Sequence, residues 1–183
     1  LFGGAITTLI PENFADISDV REVPDNQEVY ANADTDQSII IEILQYVHSS
    51  SDEDAVRHHF MSVAADNDAE EYSSIQAIVQ LTAQDIPKLP PETPKYLLSG
   101  QQSVSKFHES DPNARNLVNI FLALIRLPSY GTDIAITYNI PLLIGATSSS
   151  RQTAQEGDLV EGLGVFKRVL AEFEIRDWEL FNG

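Results

Sequence analysis

Apolar residues recur at every second position along much of the second half of the chain. Residues 132–140 alternate cleanly, with Ile134, Ile136, Tyr138 and Ile140 on one side, the pattern of a strand with one buried face. Residues 116–127 (NLVNIFLALIRL) are apolar on both sides, as in the middle of a sheet. Pro128-Ser129-Tyr130-Gly131 between them is of hairpin length, so the two runs predict a β-hairpin. Residues 74–82 set Ile75, Ala77, Val79 and Leu81 against Gln76 and Gln80 and predict a third strand. Residues 96–107 predict a fourth, bent or broken at Gly100. The segment 86–95 (IPKLPPETPK) is too rich in proline to be regular and predicts a flexible connection.

The first half mixes two periods. Residues 6–10 (ITTLI) read as a short strand stopped by Pro11. Pro24-Asp25-Asn26 is a turn by residue chemistry, and 27–31 (QEVYA) is a strand with Val29 inward. Ile39, Ile40, Ile43, Leu44 and Val47 recur at spacings of three and four, which predicts a helix over 37–48 capped from Asp34, Thr35 or Asp36. Glu42 and Gln45 would then share its water-facing side. A second helix is expected from Ser51, with Asp52, Glu53 and Asp54 in its first turn and Val56, His59, Phe60 and Val63 as its apolar stripe; residues 66–71 (DNDAEE) follow as a loop. Near the C-terminus Asp158 is placed to cap a helix. Leu159, Leu163, Phe166, Leu170 and Phe173 form its buried stripe. Trp178, Leu180 and Phe181 are expected to dock the tail. Residues 146–157 are poor in apolar side chains and predict a second flexible loop. Mixed strands and helices around an antiparallel hairpin predict one α+β domain over residues 1–183.

Charge changes this picture more than composition does. The net charge is −17, and it is lopsided: residues 1–72 carry sixteen Asp/Glu and two Arg, whereas residues 73–183 carry twelve Asp/Glu and nine Lys/Arg. So concentrated an acidic excess repels nucleic acid and anionic lipid and attracts basic protein surfaces. The chain contains no cysteine, which excludes disulfides, thiolate catalysis and cysteine-held zinc. No apolar run reaches the roughly 18 residues of a membrane helix.

Chemistry-bearing patterns are sparse. His58 and His59 are adjacent and would point apart on a helix; with His48 and His108 they make no HExxH, and no metal or other cofactor is expected. GLG at 162–164 lacks the spacing of a dinucleotide site, and neither a P-loop nor a GxSxG elbow occurs. Nothing selects a catalytic carboxylate pair among 28 acids, so the chain is not expected to be an enzyme.

Four stretches carry a resemblance. LFGGAITTLIP (1–11), DISDVREVPDNQEVY (16–30) and TDQSIIIEIL (35–44), joined by ALIRLPSYGTDIAITYNIP (123–141), resemble the Ran guanine-nucleotide release factor family. The resemblance is dense over the first 45 residues and over 118–141, and it implies an antiparallel sheet of about six strands with helices on both faces, the fold of the photosystem extrinsic protein PsbP. It implies a protein that binds the small GTPase Ran through an acidic N-terminal surface, promotes release of its guanine nucleotide, supports nuclear import, occurs in nucleus and cytoplasm, is monomeric alone, and enters no membrane. Carried over residue by residue, it marks Asp16, Asp19, Arg21, Asp25, Asn26, Glu28, Thr35, Asp36, Glu42 and Gln45 as partner-binding. The family pattern has two acids three positions apart; Glu42 fits the first, and the second is Gln45, which keeps hydrogen-bonding capacity without the charge. Three other readings stay open: an extrinsic subunit of a photosynthetic membrane complex, a hydrolase using an unrecognised carboxylate pair, and a generic acidic binding module.

Overall fold

The computed structural model describes residues 1–105, 112–152 and 154–182. Within them the strands are β1 (Ile6–Thr7), β2 (Ala15–Asp16), β3 (Gln27–Asn32), β4 (Gln37–Gln45), β5 (Ser73–Gln80), β6 (Lys95–Ser105), β7 (Arg115–Leu127), β8 (Thr132–Leu143) and β9 (Glu174–Ile175), with helices α1 (Asp52–Asp66) and α2 (Leu159–Glu172). Seven strands form one antiparallel sheet in the order β2-β3-β4-β8-β7-β6-β5, and β1 pairs with β9 in a separate ribbon.

The β7–β8 hairpin occupies the middle of the sheet, as its apolar faces demand. It turns through a 3-10 turn at Pro128–Tyr130, and Gly131 takes the left-handed conformation (φ 60°) that closes it. Ile134, Ile136, Tyr138 and Ile140 point to one face and pack under α2, where Phe166 stacks on Phe121 at 6.0 Å between ring centroids. Asp158 caps α2 by accepting from the Glu161 N–H at 2.8 Å. Gly162 lets the helix approach closely, since a Cβ there would meet Ile140, which gives the GLG motif a packing role. On the other face α1 buries Ala55, Val56 and Phe60 against Leu98, Ile120, Leu122, Leu124 and Ala135. Ser51 caps it by accepting from the Asp54 N–H at 3.1 Å.

Residues 37–45 overturn the expected first helix: they are strand β4. Three forces decide against the helix. Ile39, Ile40, Ile41 and Ile43 are β-branched and lose side-chain freedom in a helix. The helical stripe also omits Ile41, which a helix would turn roughly 200° away from Ile39 and into water; in the strand both are fully buried. Finally, Asp34-Thr35-Asp36 serves as a hairpin loop instead of a cap. The Asp34 N–H donates to Asn32 Oδ1 at 2.9 Å, the Asp36 N–H donates to the Asn32 carbonyl at 2.9 Å, and Asp36 adopts φ 57°, which aspartate tolerates better than most residues. Glu42 and Gln45 consequently point to opposite faces, so the shared helical side expected for them does not exist.

Two smaller expectations also change. In β5 the register slips between Ile75 and Ala77, so a bulge at Gln76 breaks the alternation. Ile75 and Ile78 turn toward α1, and Val79 is left 50% exposed. Strand β6 runs through Gly100 unbroken; Phe107, at the end of the predicted strand, lies outside the described residues. A Cβ at Gly100 would lie 2.5 Å from the Phe60 ring and 3.1 Å from the Ser74 carbonyl. That ring is fully buried and has nowhere to move. Gly100→Ala should therefore destabilise the fold by about 1–3 kcal/mol in urea denaturation; an unchanged midpoint would show that α1 can shift.

Candidate functional site

Helix α1 covers only part of its sheet face. Beside it a groove of about 450 Å³ opens over β4, β8 and β7. Its floor includes Ile40, Glu42, Thr137 and Asn139, Asp36 lies at one end, and Val63, Asp66 and Asn67 form a wall from the end of α1. The hairpin register brings Gln27 of β3 opposite Glu42 of β4. Gln27 Nε2 donates to Glu42 Oε1 at 2.6 Å, which fixes that carboxylate in the groove.

The electrostatics are adverse to the acids themselves. Burial pushes the Glu42 carboxyl above its ordinary value; the Gln27 hydrogen bond opposes this, and the Asp66 charge pushes it further up. Asp66 stands in the last turn of α1, which holds no basic residue, so it meets the negative end of the helix dipole, an arrangement costing about 0.3–1 kcal/mol. In the floor, Thr137 is 2% exposed and its hydroxyl has no hydrogen-bond partner among the described residues. A desolvated carboxylate, a second acid at the wrong end of a helix and an unsatisfied hydroxyl share one groove. A guest with a positive charge would relieve the first two.

Both ends of α1 are pinned, which sets the groove's shape. At its end, Asn67 Nδ2 donates to Gln102 Oε1 of β6 at 3.0 Å. At its start a buried network anchors it. Arg126 Nε donates to Asp133 Oδ1 at 3.0 Å, and His59 Nε2 lies 3.0 Å from Asp133 Oδ2. Arg126 also pairs with Asp52, donates to the Val47 carbonyl, and stacks 4.0 Å from the centroid of the Tyr46 ring. Burial pushes Asp133 up, but hydrogen bonds from His59, the Val47 N–H and Arg126 outweigh it and leave its carboxyl below the ordinary range.

The residues marked by the resemblance are scattered by this geometry. Glu42 and Asp36 line the groove. Asn26 and exposed Asp25 lie at the start of β3; the Asn26 carbonyl accepts from the Ile43 N–H at 2.9 Å and its Nδ2 donates to the Ile43 carbonyl at 3.2 Å. Glu28 and Asp16 face the other side of the sheet. The Glu28 carboxylate accepts from the Phe2 N–H, and Asp16 accepts from the Ser18 N–H at 2.8 Å; between them, burial raises the Tyr30 hydroxyl to about 12. Asp19 and Arg21 are exposed in the following turn. Thr35 lines a separate cleft with Gln37, Tyr138 and Arg168. Gln45 is exposed at the far end of β4. Gln27, Asp66 and Thr137 are the groove residues that sequence reasoning passes over. Gln27 becomes legible once residues 33–36 are read as a hairpin loop, which forces it opposite Glu42; nothing local marks the other two. Among the described residues no cluster of three or more His, Asp or Glu is arranged to hold a metal, and no helix is long and apolar enough to cross a membrane.

Comparison with known proteins adds three findings. A family model described as Ran-interacting Mog1 protein matches residues 1–141. A Ran guanine nucleotide release factor from Danio rerio is 41% identical over all of this chain and 98% of its own length, and the nuclear import protein MOG1 of Saccharomyces cerevisiae is 29% identical over 99% of this chain and 83% of its own. The crystal structure of the Saccharomyces cerevisiae Ran-binding protein MOG1P superposes with a TM-score of 0.71 at 27% identity, covering 99% of this chain and 95% of that one.

Proposed function

Because this chain belongs to the Ran-interacting Mog1 family, we propose that it binds the GTPase Ran through the Glu42 groove and promotes release of the bound guanine nucleotide, in support of nuclear protein import. It acts in the nucleus and cytoplasm and has no catalytic chemistry of its own. The observation that carries the assignment to this groove is the desolvated Glu42 carboxylate, held by Gln27 beside Asp66.

A GTPase holds its nucleotide with a lysine, backbone amides and Mg²⁺. A release factor must bind the emptied or loosened state more tightly than the loaded one, because only differential affinity shifts the equilibrium. The groove offers such a difference. A basic side chain engaged with phosphate is unavailable to Glu42; once the phosphates loosen, it can pair with Glu42 beside Asp66. By linkage, loading Ran with nucleotide weakens its affinity for this protein by the factor by which this protein weakens nucleotide binding.

The raised pKa of Glu42 gives a pH test. At neutral pH the carboxylate is charged and pairs with the basic guest; as pH falls toward its raised value it protonates and affinity drops. Binding to purified Ran, followed by calorimetry from pH 7.5 to 5, should weaken more steeply for the wild type than for Glu42→Gln. Parallel curves would remove Glu42 from the interface. The same shift bears on stability. A carboxyl whose folded pKa is raised stabilises the fold fully below its unfolded value and loses that contribution as pH rises through the folded value. Glu42→Gln retains a group able to accept from Gln27 and removes the charge, so at pH 7 it should melt no lower than the wild type while binding Ran less well. A lowered melting temperature would make Glu42 a structural residue.

A further inference from the structure

A second cleft, of about 440 Å³, opens where the β7–β8 turn meets the proline-rich connection and the C-terminal tail, and it shares no lining residue with the acidic groove. Its walls include Pro90, Pro94, Pro128, Tyr130 and Trp178, with Glu92 beside them; Arg126 also lines it, but its side chain is 2% exposed and turned into the Asp133 network. The aromatic rings are built in. Tyr130 and Trp178 lie 5.5 Å apart, tilted by 32°, and both pack edge-on against Phe181, at 5.8 and 6.0 Å. Phe181 is buried, whereas Tyr130 and Trp178 are only partly buried. Neither the Tyr130 hydroxyl nor the Trp178 indole N–H has a hydrogen-bond partner among the described residues. Glu92 is exposed and forms no direct ion pair among the described residues; the buried Lys95, whose Nζ donates to the Pro91 and Thr93 carbonyls, is near enough to feel its charge.

We propose that this cleft binds a proline-rich segment in the polyproline II conformation, flanked by a basic residue. Such a helix makes no internal hydrogen bonds, so its carbonyls need external donors, and it presents pyrrolidine rings that pack on aromatic faces. Rigid aromatic walls with two donors at their tips meet both needs, and the prepaid order of the ligand lowers the entropy cost of binding. Glu92, within a chain of net charge −17, selects an arginine or lysine at one end of the segment and thereby sets its direction.

Trp178 is the only tryptophan in the chain, so its fluorescence reports on this cleft alone. The test titrates the intact protein with a synthetic peptide of eight prolines ending in arginine, and with a control of the same length and charge in which alanine and serine replace the prolines. The expected result is a saturable change in tryptophan emission with the first peptide and none with the second. Tyr130→Phe keeps the ring and removes one donor, and should weaken binding about three- to tenfold. Glu92→Gln should erase the preference for the arginine-tailed peptide over an uncharged one. No saturable change up to millimolar peptide, or equal responses to both peptides, overturns the proposal. Glu42→Gln, remote in lining, should leave the titration unchanged, so this test stands apart from the fate of the Ran assignment.

Discussion

Arg126→Met is expected to cost about 3–5 kcal/mol of folding stability, the loss typical when one partner of a buried ion pair is removed. The Arg126 and Asp133 side chains are 2% and 0% exposed. Methionine restores the stem of the arginine but neither its charge nor its bonds to Asp133, Asp52 and the Val47 carbonyl. Asp133 is then left charged and buried with only His59 and the Val47 N–H as partners. The cost reflects that orphaned charge more than the net worth of the pair. Because the folded Asp133 carboxyl lies below its ordinary range, the network stabilises the fold above the unfolded carboxylate pKa and loses that contribution as pH falls through the folded value. The wild type should therefore lose stability on acidification below about pH 4 more steeply than the variant. Urea denaturation at pH 7 and pH 3 checks both. A loss below about 1 kcal/mol would mean that the network is dispensable and that α1 is held by packing alone.

The second large effect concerns binding. Glu42→Lys should weaken the complex with Ran by about 2–5 kcal/mol, because at the interface we propose it removes a desolvated charge and puts a like charge before the basic guest. Asp66→Asn should cost less, since Asp66 is exposed on the groove wall, and its effect should fall mainly on association rate and salt dependence. Titration calorimetry separates the two. Equal and small losses would move the interface away from the groove.

These effects differ in how far the sequence announces them. Strand β8 and helix α2 are legible because each satisfies one period and no other: Ile134, Ile136, Tyr138 and Ile140 fit a strand, and Leu163, Phe166 and Leu170 fit a helix. Strand β4 is not, because Ile39, Ile40, Ile43 and Leu44 fit either period, and the deciding signals, β-branching and the omitted Ile41, are weaker than the periodicity itself. The resemblance singles out Glu42 as a helical residue; the structure gives it a different setting, a strand partner in Gln27 and a neighbour in Asp66 from a distant helix. Sequence reasoning cannot assemble a groove whose acids come from a hairpin loop, a strand and the end of a helix, nor detect that Thr137 lacks a partner among the described residues. Likewise the sequence puts His59 on the apolar stripe of α1, and only the fold places it beside Asp133.

The most direct test of the central claim is the rate at which purified Ran releases a fluorescent guanine nucleotide, measured alone, with the wild-type protein, and with Glu42→Lys after circular dichroism has shown that variant folded. The account predicts faster release with the wild type, and release close to the rate of Ran alone with the variant. Equal acceleration by the folded variant would contradict it, because the groove would then take no part in release.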